Sequence, residues 1–311
     1  LSRDEGETWY GWLSASNTRV DNFLFAWGTN VYGQLGLNST IPDSHGISSP
    51  TQVGSNVDWA SLVKGGEWYP AVQGMGIIKT DASLWVQGQN THGMLGQNNT
   101  VDYSSPVQIP GTTWKQASSS FTTWSATKTD GTLWVWGPNG YGELGINQPT
   151  NAHRSSPTQI PGTTWSYTDN SGSSTFAVKT DGTLWSWGLN ENGELGLGNK
   201  TDYSSPKQIP GTTWSTVAAN KQSVMATRTD GTLWMWGDNP SGVLGQNNTN
   251  DYSSPRQVPG TSWTDTISFG YNCCGAIRPD GTLWLWGNGA DGSLAHGANT
   301  NRSSPIQVPG T

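Results

Sequence analysis

Cysteine is almost absent from this chain of 311 residues, which has two, Cys273 and Cys274, at adjacent positions. Neighbouring cysteines seldom pair with each other, and no C-x-x-C motif is present. The sequence therefore excludes a disulfide-rich scaffold and a cysteine-based zinc or redox motif. Long apolar runs are absent too. Because no stretch of about 18 apolar residues occurs, we expect no membrane-spanning segment and no direct insertion into a membrane.

Charge is also sparse, since charged residues make up 12% of the chain and the net charge is −7. The 15 lysines and arginines are scattered singly along the sequence. A basic patch of the kind that binds nucleic acid is therefore missing, and so is a basic cluster that would attract the chain to an anionic membrane. These absences predict that the partner is not a nucleic acid.

Glycine and tryptophan are plentiful instead, with 41 and 19 residues. The apolar fraction of 32% is low for a globular protein. Each tryptophan can bury roughly 150–250 Å² on folding, so indoles offset the shortage of Leu and Ile. The sequence predicts a core built largely from tryptophan.

One stretch, Thr129–Gly137 with the sequence TDGTLWVWG, recurs along the chain. Close copies lie at 180–188, 229–237 and 279–287, and looser ones at 80–88 and 23–28. Their shared leucine recurs at intervals of 49 to 60 residues. Such a period is typical of one small unit that is repeated to build the whole fold.

Four strands are predicted in each repeat, and no segment carries a helical apolar period. In the clearest copy the strands are Trp214–Val217, Gln222–Arg228, Thr232–Trp236 and Pro255–Val258. Asp230 and Gly231 predict a two-residue hairpin turn. Helix-free units of about 50 residues with four strands are typical of propeller blades.

The fold class that follows is all-β: a closed β-propeller of six four-stranded blades, forming a single domain over residues 1–311. The count rises to seven if the chain is truncated. The segment Gly6–Trp9 matches Gly211–Trp214. We therefore expect an N-terminal strand to close the ring, which removes exposed sheet edges.

The run Asp230–Asn239, continued by Gly242–Gly245 and Pro255, resembles the RCC1 repeat, whose pattern is roughly DGxxWxWGxNxxGQLG followed by Pro. The chain is most similar to the TDGTLWxWG variants of bacterial and phage-encoded proteins. The resemblance implies a β-propeller, most often of seven blades. It also implies two alternative activities, guanine-nucleotide exchange on a small GTPase and inhibition of an enzyme by the propeller rim. The Gly-x-x-His-x-x-Ala usual at the second strand is missing at Ala219–Gln222.

The tryptophans two residues apart lie on one face of a strand, and packing between blades is the interpretation we prefer for them over a sugar or base platform. They are Trp134, Trp136, Trp185, Trp187, Trp234, Trp236, Trp284 and Trp286.

Calcium binding by the Asn- and Asp-rich loops is an alternative to plain Asx and Ser turns, and we favour the turns because no fixed carboxylate spacing recurs. The four histidines fall in loops of different repeats. The sequence pattern brings no catalytic set of residues together. We therefore expect no catalytic residue, metal or cofactor, and no enzyme.

The loops between the first and second strands vary most from repeat to repeat, and loops of this kind usually carry function on a fixed frame. Their aromatic and basic residues are the candidate binding site, with local packing under a long loop as the alternative. The candidates are Trp68, Tyr69, Phe121, Lys221 and Tyr271. The predicted function is a non-enzymatic binding or structural module that attaches to a protein or a glycan on an extracellular or virion surface.

Overall fold

The computed structural model describes residues 22–40, 46–64, 74–120, 123–148, 151–260, 262–270 and 272–310. Within these ranges the chain is all-β, as predicted. Its two helices are 3-10 turns of three residues each, Thr91–Gly93 and Ala290–Gly292. Neither described helix has the length or the hydropathy of a membrane-spanning segment.

The strands follow in chain order: β1 Phe25–Gly28, β2 Ile47–Gln52, β3 Trp59–Leu62, β4 Gly74–Lys79, β5 Leu84–Gly88, β6 Tyr103–Gln108, β7 Trp114–Ser119, β8 Trp124–Lys128, β9 Leu133–Gly137, β10 Arg154–Ile160, β11 Trp165–Asn170, β12 Ser174–Lys179, β13 Leu184–Gly188, β14 Tyr203–Gln208, β15 Trp214–Ala219, β16 Ser223–Arg228, β17 Leu233–Gly237, β18 Tyr252–Gln257, β19 Ile267–Phe269, β20 Cys273–Ile277, β21 Leu283–Gly287 and β22 Arg302–Gln307.

The described strands lie in two compact units. Unit 1 holds the two-stranded sheet β1-β2 and the four-stranded sheets β3-β4-β5-β6 and β7-β8-β9-β10. Unit 2 holds three four-stranded sheets, β11 to β14, β15 to β18 and β19 to β22, together with the loop at 139–152. All neighbouring strands are antiparallel and consecutive in the chain. The prediction that residues 1–311 form one domain stays a prediction.

The predicted four-stranded unit is confirmed by these sheets. The predicted N-terminal strand at Gly6–Trp9 lies outside the described residues, so ring closure by that strand stays a prediction. In the clearest copy the fourth strand begins at Tyr252 rather than at Pro255. The prediction put Pro255 at the start of the strand, but it lies within it. This fourth strand is the outer strand of its sheet, where a missing N–H leaves no ladder bond unmade.

The hairpin between the second and third strands differs from the two-residue turn that the Asp-Gly pair predicts. The Arg228 N–H donates to the Thr232 carbonyl, and the Gly231 N–H donates to the Arg228 carbonyl. The loop therefore has three residues, a type I turn followed by Gly231 in the left-handed region at φ +77°. Glycine enters that region without the strain that a Cβ would bring.

A chain of side-chain hydrogen bonds closes each of these hairpins. The Trp134 Nε1–H donates to Thr132 Oγ1 over 2.9 Å, and the Thr132 hydroxyl donates to Asp130 Oδ1 over 2.7 Å. The Thr132 backbone N–H donates to the same carboxylate. These two bonds from Thr132 hold the pKa of Asp130 below its ordinary value. We call this set the hairpin relay, and it recurs in all five four-stranded sheets.

A cation lies between two indoles beside every hairpin relay. The Lys128 ammonium is 4.5 Å from the centroid of Trp114 and 4.7 Å from that of Trp134. The two indoles meet edge to face at 6.4 Å. Such cation–π contacts stabilise by about 0.5–2 kcal/mol each, depending on exposure. The equivalent cations in the other four-stranded sheets are Lys79, Lys179, Arg228 and Arg278.

The second tryptophan of each pair joins neighbouring sheets within a unit. In unit 1, Trp136 is fully buried and its Nε1–H donates to the carbonyl of Met94 in the preceding repeat. In unit 2, Trp236 makes the same bond to Glu194, at 2.7 Å. These tryptophans pack in the interior, whereas Trp134 and its equivalents are half-buried at the hairpin end.

We predict that Thr132→Val lowers the free energy of unfolding by about 1–2 kcal/mol, because valine fills the same space but breaks the hairpin relay at its central hydroxyl. Urea unfolding followed by tryptophan fluorescence measures the change. Thr132→Ser is the matched control and costs less, because Ser83 already forms the relay in the sheet β3-β4-β5-β6. Equal destabilisation by Val and Ser would contradict a role for the hydroxyl.

Candidate functional site

The two ends of each sheet carry different connections. In the four-stranded sheets the hairpins occupy one end, with Asp-Gly in four of them and Asp81-Ala82 in the sheet β3-β4-β5-β6, and the loops after the first and third strands occupy the other. In unit 2 these two loop types are bonded together: the Leu189 N–H donates to the Ser173 carbonyl, and the Asp238 N–H to the Gln222 carbonyl. We define the loop face of unit 2 as residues 171–173, 189–202, 220–222, 238–251 and 288–301.

Of the five predicted binding residues, four lie outside the described residues: Trp68, Tyr69, Phe121 and Tyr271. Their roles stay predictions. The fifth, Lys221, is exposed at the tip of the loop between β15 and β16, on the loop face of unit 2. Its backbone N–H donates to the side-chain oxygen of Asn220.

Hydrogen bonds between equivalent positions connect the ends of the first strands in unit 2. Asp169 is buried, and its Oδ2 accepts from the Ala219 N–H over 2.9 Å. Asn220 Nδ2 donates to the Gly270 carbonyl, also over 2.9 Å. The loop that carries Lys221 is therefore held on both sides by its neighbours. A rigid backbone under an exposed loop suits a recognition surface.

Glu194 is a buried carboxyl group beneath the loop face of unit 2. Its side chain is fully buried, and its Oε2 accepts from the Asn192 N–H over 2.8 Å. Its Oε1 has no hydrogen-bond partner among the described residues. Burial, and then the nearby charges of Asp202 and Glu191, raise the pKa of Glu194 to about 7. The group therefore carries a proton for much of the time near neutral pH.

A second pair of carboxyl groups meets on the same face. The Asn239 N–H lies within hydrogen-bond distance of Asp238 Oδ1 and Asp251 Oδ1, at 3.1 and 2.9 Å. Burial and the neighbouring Asp251 raise the pKa of Asp238, and the positive charge of Lys221 offsets part of that rise. Glu194 and Asp238 are therefore two carboxyl groups on this face whose ionisation is opposed by burial and by a neighbouring carboxylate. The sequence did not indicate that Asp238 and Asp251 meet, since they lie 13 positions apart in a loop of irregular structure.

The Asn-rich loops hold their own shape, in the manner of the Asx turns that we favoured. Asn190 Nδ2 donates to the carbonyls of Asn199 and Thr201, and Asn190 Oδ1 accepts from the Leu195 N–H. The same pattern recurs at Asn90 and Asn239. In the part of the chain that the structure describes, no three His, Cys, Asp or Glu side chains converge as a metal site.

In unit 1, two histidines that the sequence placed in separate loops come into contact. The ring centroids of His92 and His153 are 4.7 Å apart, with their planes tilted by 44°. Burial, and then the charge of His92, lower the pKa of His153. The two histidines do belong to loops of different repeats, and they meet because the loop of one repeat packs on the next repeat.

A model of the Regulator of chromosome condensation (RCC1) repeat matches residues 21–70, 130–168, 181–226, 230–277 and 280–311, more than half of the chain. The chain belongs to the RCC1 repeat family. The family assignment confirms the resemblance seen in the TDGTLWxWG stretches. A comparison with curated protein sequences gives no match.

Solved structures support the same fold. The chain is similar to human WBSCR16, with a TM-score of 0.77 and 18% identity over 94% of this chain and 79% of that one. It is also similar to Prp20p from Saccharomyces cerevisiae, with a TM-score of 0.55 and 16% identity over 92% and 86% of the two chains. At these identities the similarity shows the fold alone, an RCC1-like β-propeller whose four-stranded sheets are the blades.

We predict that Glu194→Gln stabilises the protein at pH 8 by on the order of 2 kcal/mol and leaves it unchanged at pH 4. The folded state holds the Glu194 proton up to a pKa of about 7, whereas the unfolded chain releases it near 4.5. Wild-type stability therefore falls as the pH rises from about 4.5 to 7, and the variant lacks this fall. Urea unfolding at a series of pH values measures the difference.

The RCC1 repeat at the start of the described chain supplies a precedent, since Gln34 occupies the same position and its Oε1 accepts from the Tyr32 N–H. Glu143→Gln is the comparison variant. Both oxygens of Glu143 accept backbone N–H groups, so replacing one oxygen by an amide offsets part of the gain. Parallel pH profiles for wild type and Glu194→Gln would contradict the raised pKa.

Proposed function

We propose that this RCC1-repeat propeller is a non-enzymatic protein-binding module, and that it presents the loop face of unit 2 to a basic surface of its partner. The observation that carries the proposal is the excess of carboxylates on that face. Glu191, Asp202, Asp251 and Asp291 are exposed there. Asp202 and Glu191 add to the effect of burial in raising the pKa of Glu194, and Asp251 does the same for Asp238.

A basic partner would relieve this repulsion, and a field of one sign speeds the encounter with an oppositely charged protein. The net charge of −7 acts in the same direction. The opposite end of each four-stranded sheet presents fewer charged groups to a partner, because its aspartates and cations are engaged in hairpin relays and indole contacts. The structure of Prp20p, a similar fold, is described together with its binding to Gsp1p and histones. These considerations favour a protein as the partner over a glycan.

Location on an extracellular or virion surface is part of the proposal, as is glycan attachment as the alternative mode. The low charge and the Asn-, Thr- and Ser-rich composition support such a surface. Proteomics of the source particle or fraction tests the location, and a glycan array tests the alternative.

We predict that the variant Glu191→Gln/Asp202→Asn/Asp251→Asn binds basic proteins at least about tenfold more weakly than wild type at low salt. Purified core histones serve as the probe, and interferometry at 50 and 200 mM NaCl gives the affinity. Exposed carboxylates act through long-range attraction, so added salt should weaken wild-type binding and change that of the variant little.

Asp102→Asn is the matched control, since Asp102 in unit 1 accepts the Asn90 N–H just as Asp202 accepts the Asn190 N–H in unit 2. Asparagine keeps that bond, because Asn301 accepts the equivalent Gly289 N–H. Asp202→Asn alone removes the same single charge as Asp102→Asn. Equal weakening by these two single variants would show that net charge, and not the loop face of unit 2, governs binding. Binding that is insensitive to all these changes would count against the proposal.

Guanine-nucleotide exchange on a small GTPase is the second candidate, favoured by the similarity to Prp20p and its described binding to Gsp1p. A fluorescent-GDP release assay with purified Ras-superfamily GTPases tests it. GDP release that becomes faster with the concentration of this chain supports exchange activity. Unchanged release rates across the panel rule that activity out.

A further inference from the structure

The contact between His92 and His153 follows from how successive repeats of unit 1 pack. The loop that holds His92 lies against the start of β10: the Asn98 N–H donates to the Ser155 carbonyl over 2.6 Å. A Cβ added at Gly93 would lie only 2.3 Å from the Ser155 Cβ. This close approach places His92, the residue before Gly93, beside His153, the residue before β10.

The same packing recurs elsewhere in the chain, with other residues at the two positions. Gly33, Gly142, Gly193 and Gly242 approach the equivalent serines Ser104, Ser204, Ser253 and Ser303 as closely. The residue pairs at the matching positions are Tyr32 with Asp102, Tyr141 with Asp202, Asn192 with Asp251 and Ser241 with Asn301. Two imidazoles therefore meet here although the repeat itself does not require them.

The separation of the two rings matches that of two imidazoles on one metal ion. Imidazole nitrogens bind zinc at about 2.0–2.1 Å, and two imidazoles on one ion at 90–109° bring their ring centres to roughly 4.5–5 Å. The observed separation is 4.7 Å, and the tilt of 44° keeps the rings from stacking face to face. His92 is exposed and His153 is half-buried, so an ion can reach them from solvent.

We propose that His92 and His153 form a binding site for a divalent transition-metal ion such as Zn²⁺, Ni²⁺ or Cu²⁺. Imidazole prefers these ions over hard cations such as Mg²⁺. No third His, Cys, Asp or Glu completes the group among the described residues. The ion therefore keeps open positions, which water or a side chain of a bound partner fills. Binding cross-links two successive repeats and stabilises unit 1 by mass action.

The test uses untagged full-length protein titrated with ZnCl₂ by calorimetry at pH 7.5, with MgCl₂ as the hard-cation control. We expect one zinc ion per chain and no heat with magnesium. His92→Asn and His153→Asn should each weaken zinc binding at least about tenfold. Both changes use residues that other repeats carry at these positions, Asn192 and Asn301, so the loops keep their fold.

His296→Asn is the matched control, because His296 lies in unit 2, where it accepts from Arg302 Nε, and its loss should leave zinc binding unchanged. Wild-type protein gives a second readout in ¹⁵N NMR spectra, where zinc should shift the imidazole resonances of two of the four histidines. Absence of zinc binding by wild type, or binding that survives either substitution, overturns the proposal. So does an imidazole spectrum in which zinc moves one histidine alone.

Discussion

The hydrogen-bond chain from an indole N–H through a hydroxyl to an aspartate is the interaction on which each sheet depends. It joins three residues of the TDGTLW stretch, and it explains why that stretch is copied along the chain when the rest drifts. Asp sets the turn, Gly enters the left-handed region, the Thr hydroxyl accepts from the indole N–H and donates to the Asp carboxylate, and Trp receives the cation on its face. Loss of the carboxylate, the hydroxyl or the indole removes a partner from the others.

Because the hairpin end of each sheet is fixed in this way, variation collects at the opposite end. The charges of the hairpin end are paired with hydroxyls and indoles, and they leave little for a partner to recognise. The loop face of unit 2 is different, since its exposed carboxylates outnumber its two exposed lysines, Lys200 and Lys221. Lys221 offsets part of that charge beside Asp238. A fixed frame with an excess of negative charge at one end is the physical basis of the binding role that we propose.

The sequence predicted what the repeat period determines, four strands per unit and an all-β chain. The resemblance of the TDGTLWxWG stretches to the RCC1 repeat predicted the family. The sequence pattern misplaced features that depend on a few hydrogen bonds. The Asp-Gly pair predicted a two-residue turn, but the bond from the Arg228 N–H to Thr232 makes the loop one residue longer. The meeting of Asp238 with Asp251, and of His92 with His153, could not be foreseen. Both depend on how an irregular loop folds back, which no periodicity encodes. The aromatic candidates Trp68, Tyr69, Phe121 and Tyr271 stay predictions.

The order of strands has a consequence for how such a chain can change in length. Every described four-stranded sheet is made from one uninterrupted stretch of sequence, and no strand is exchanged with another sheet. Duplication or deletion of one stretch would therefore add or remove a whole sheet and leave every other hydrogen-bond ladder intact. Genes for such chains can gain or lose a blade in a single recombination event, without an intermediate that encodes an incomplete sheet.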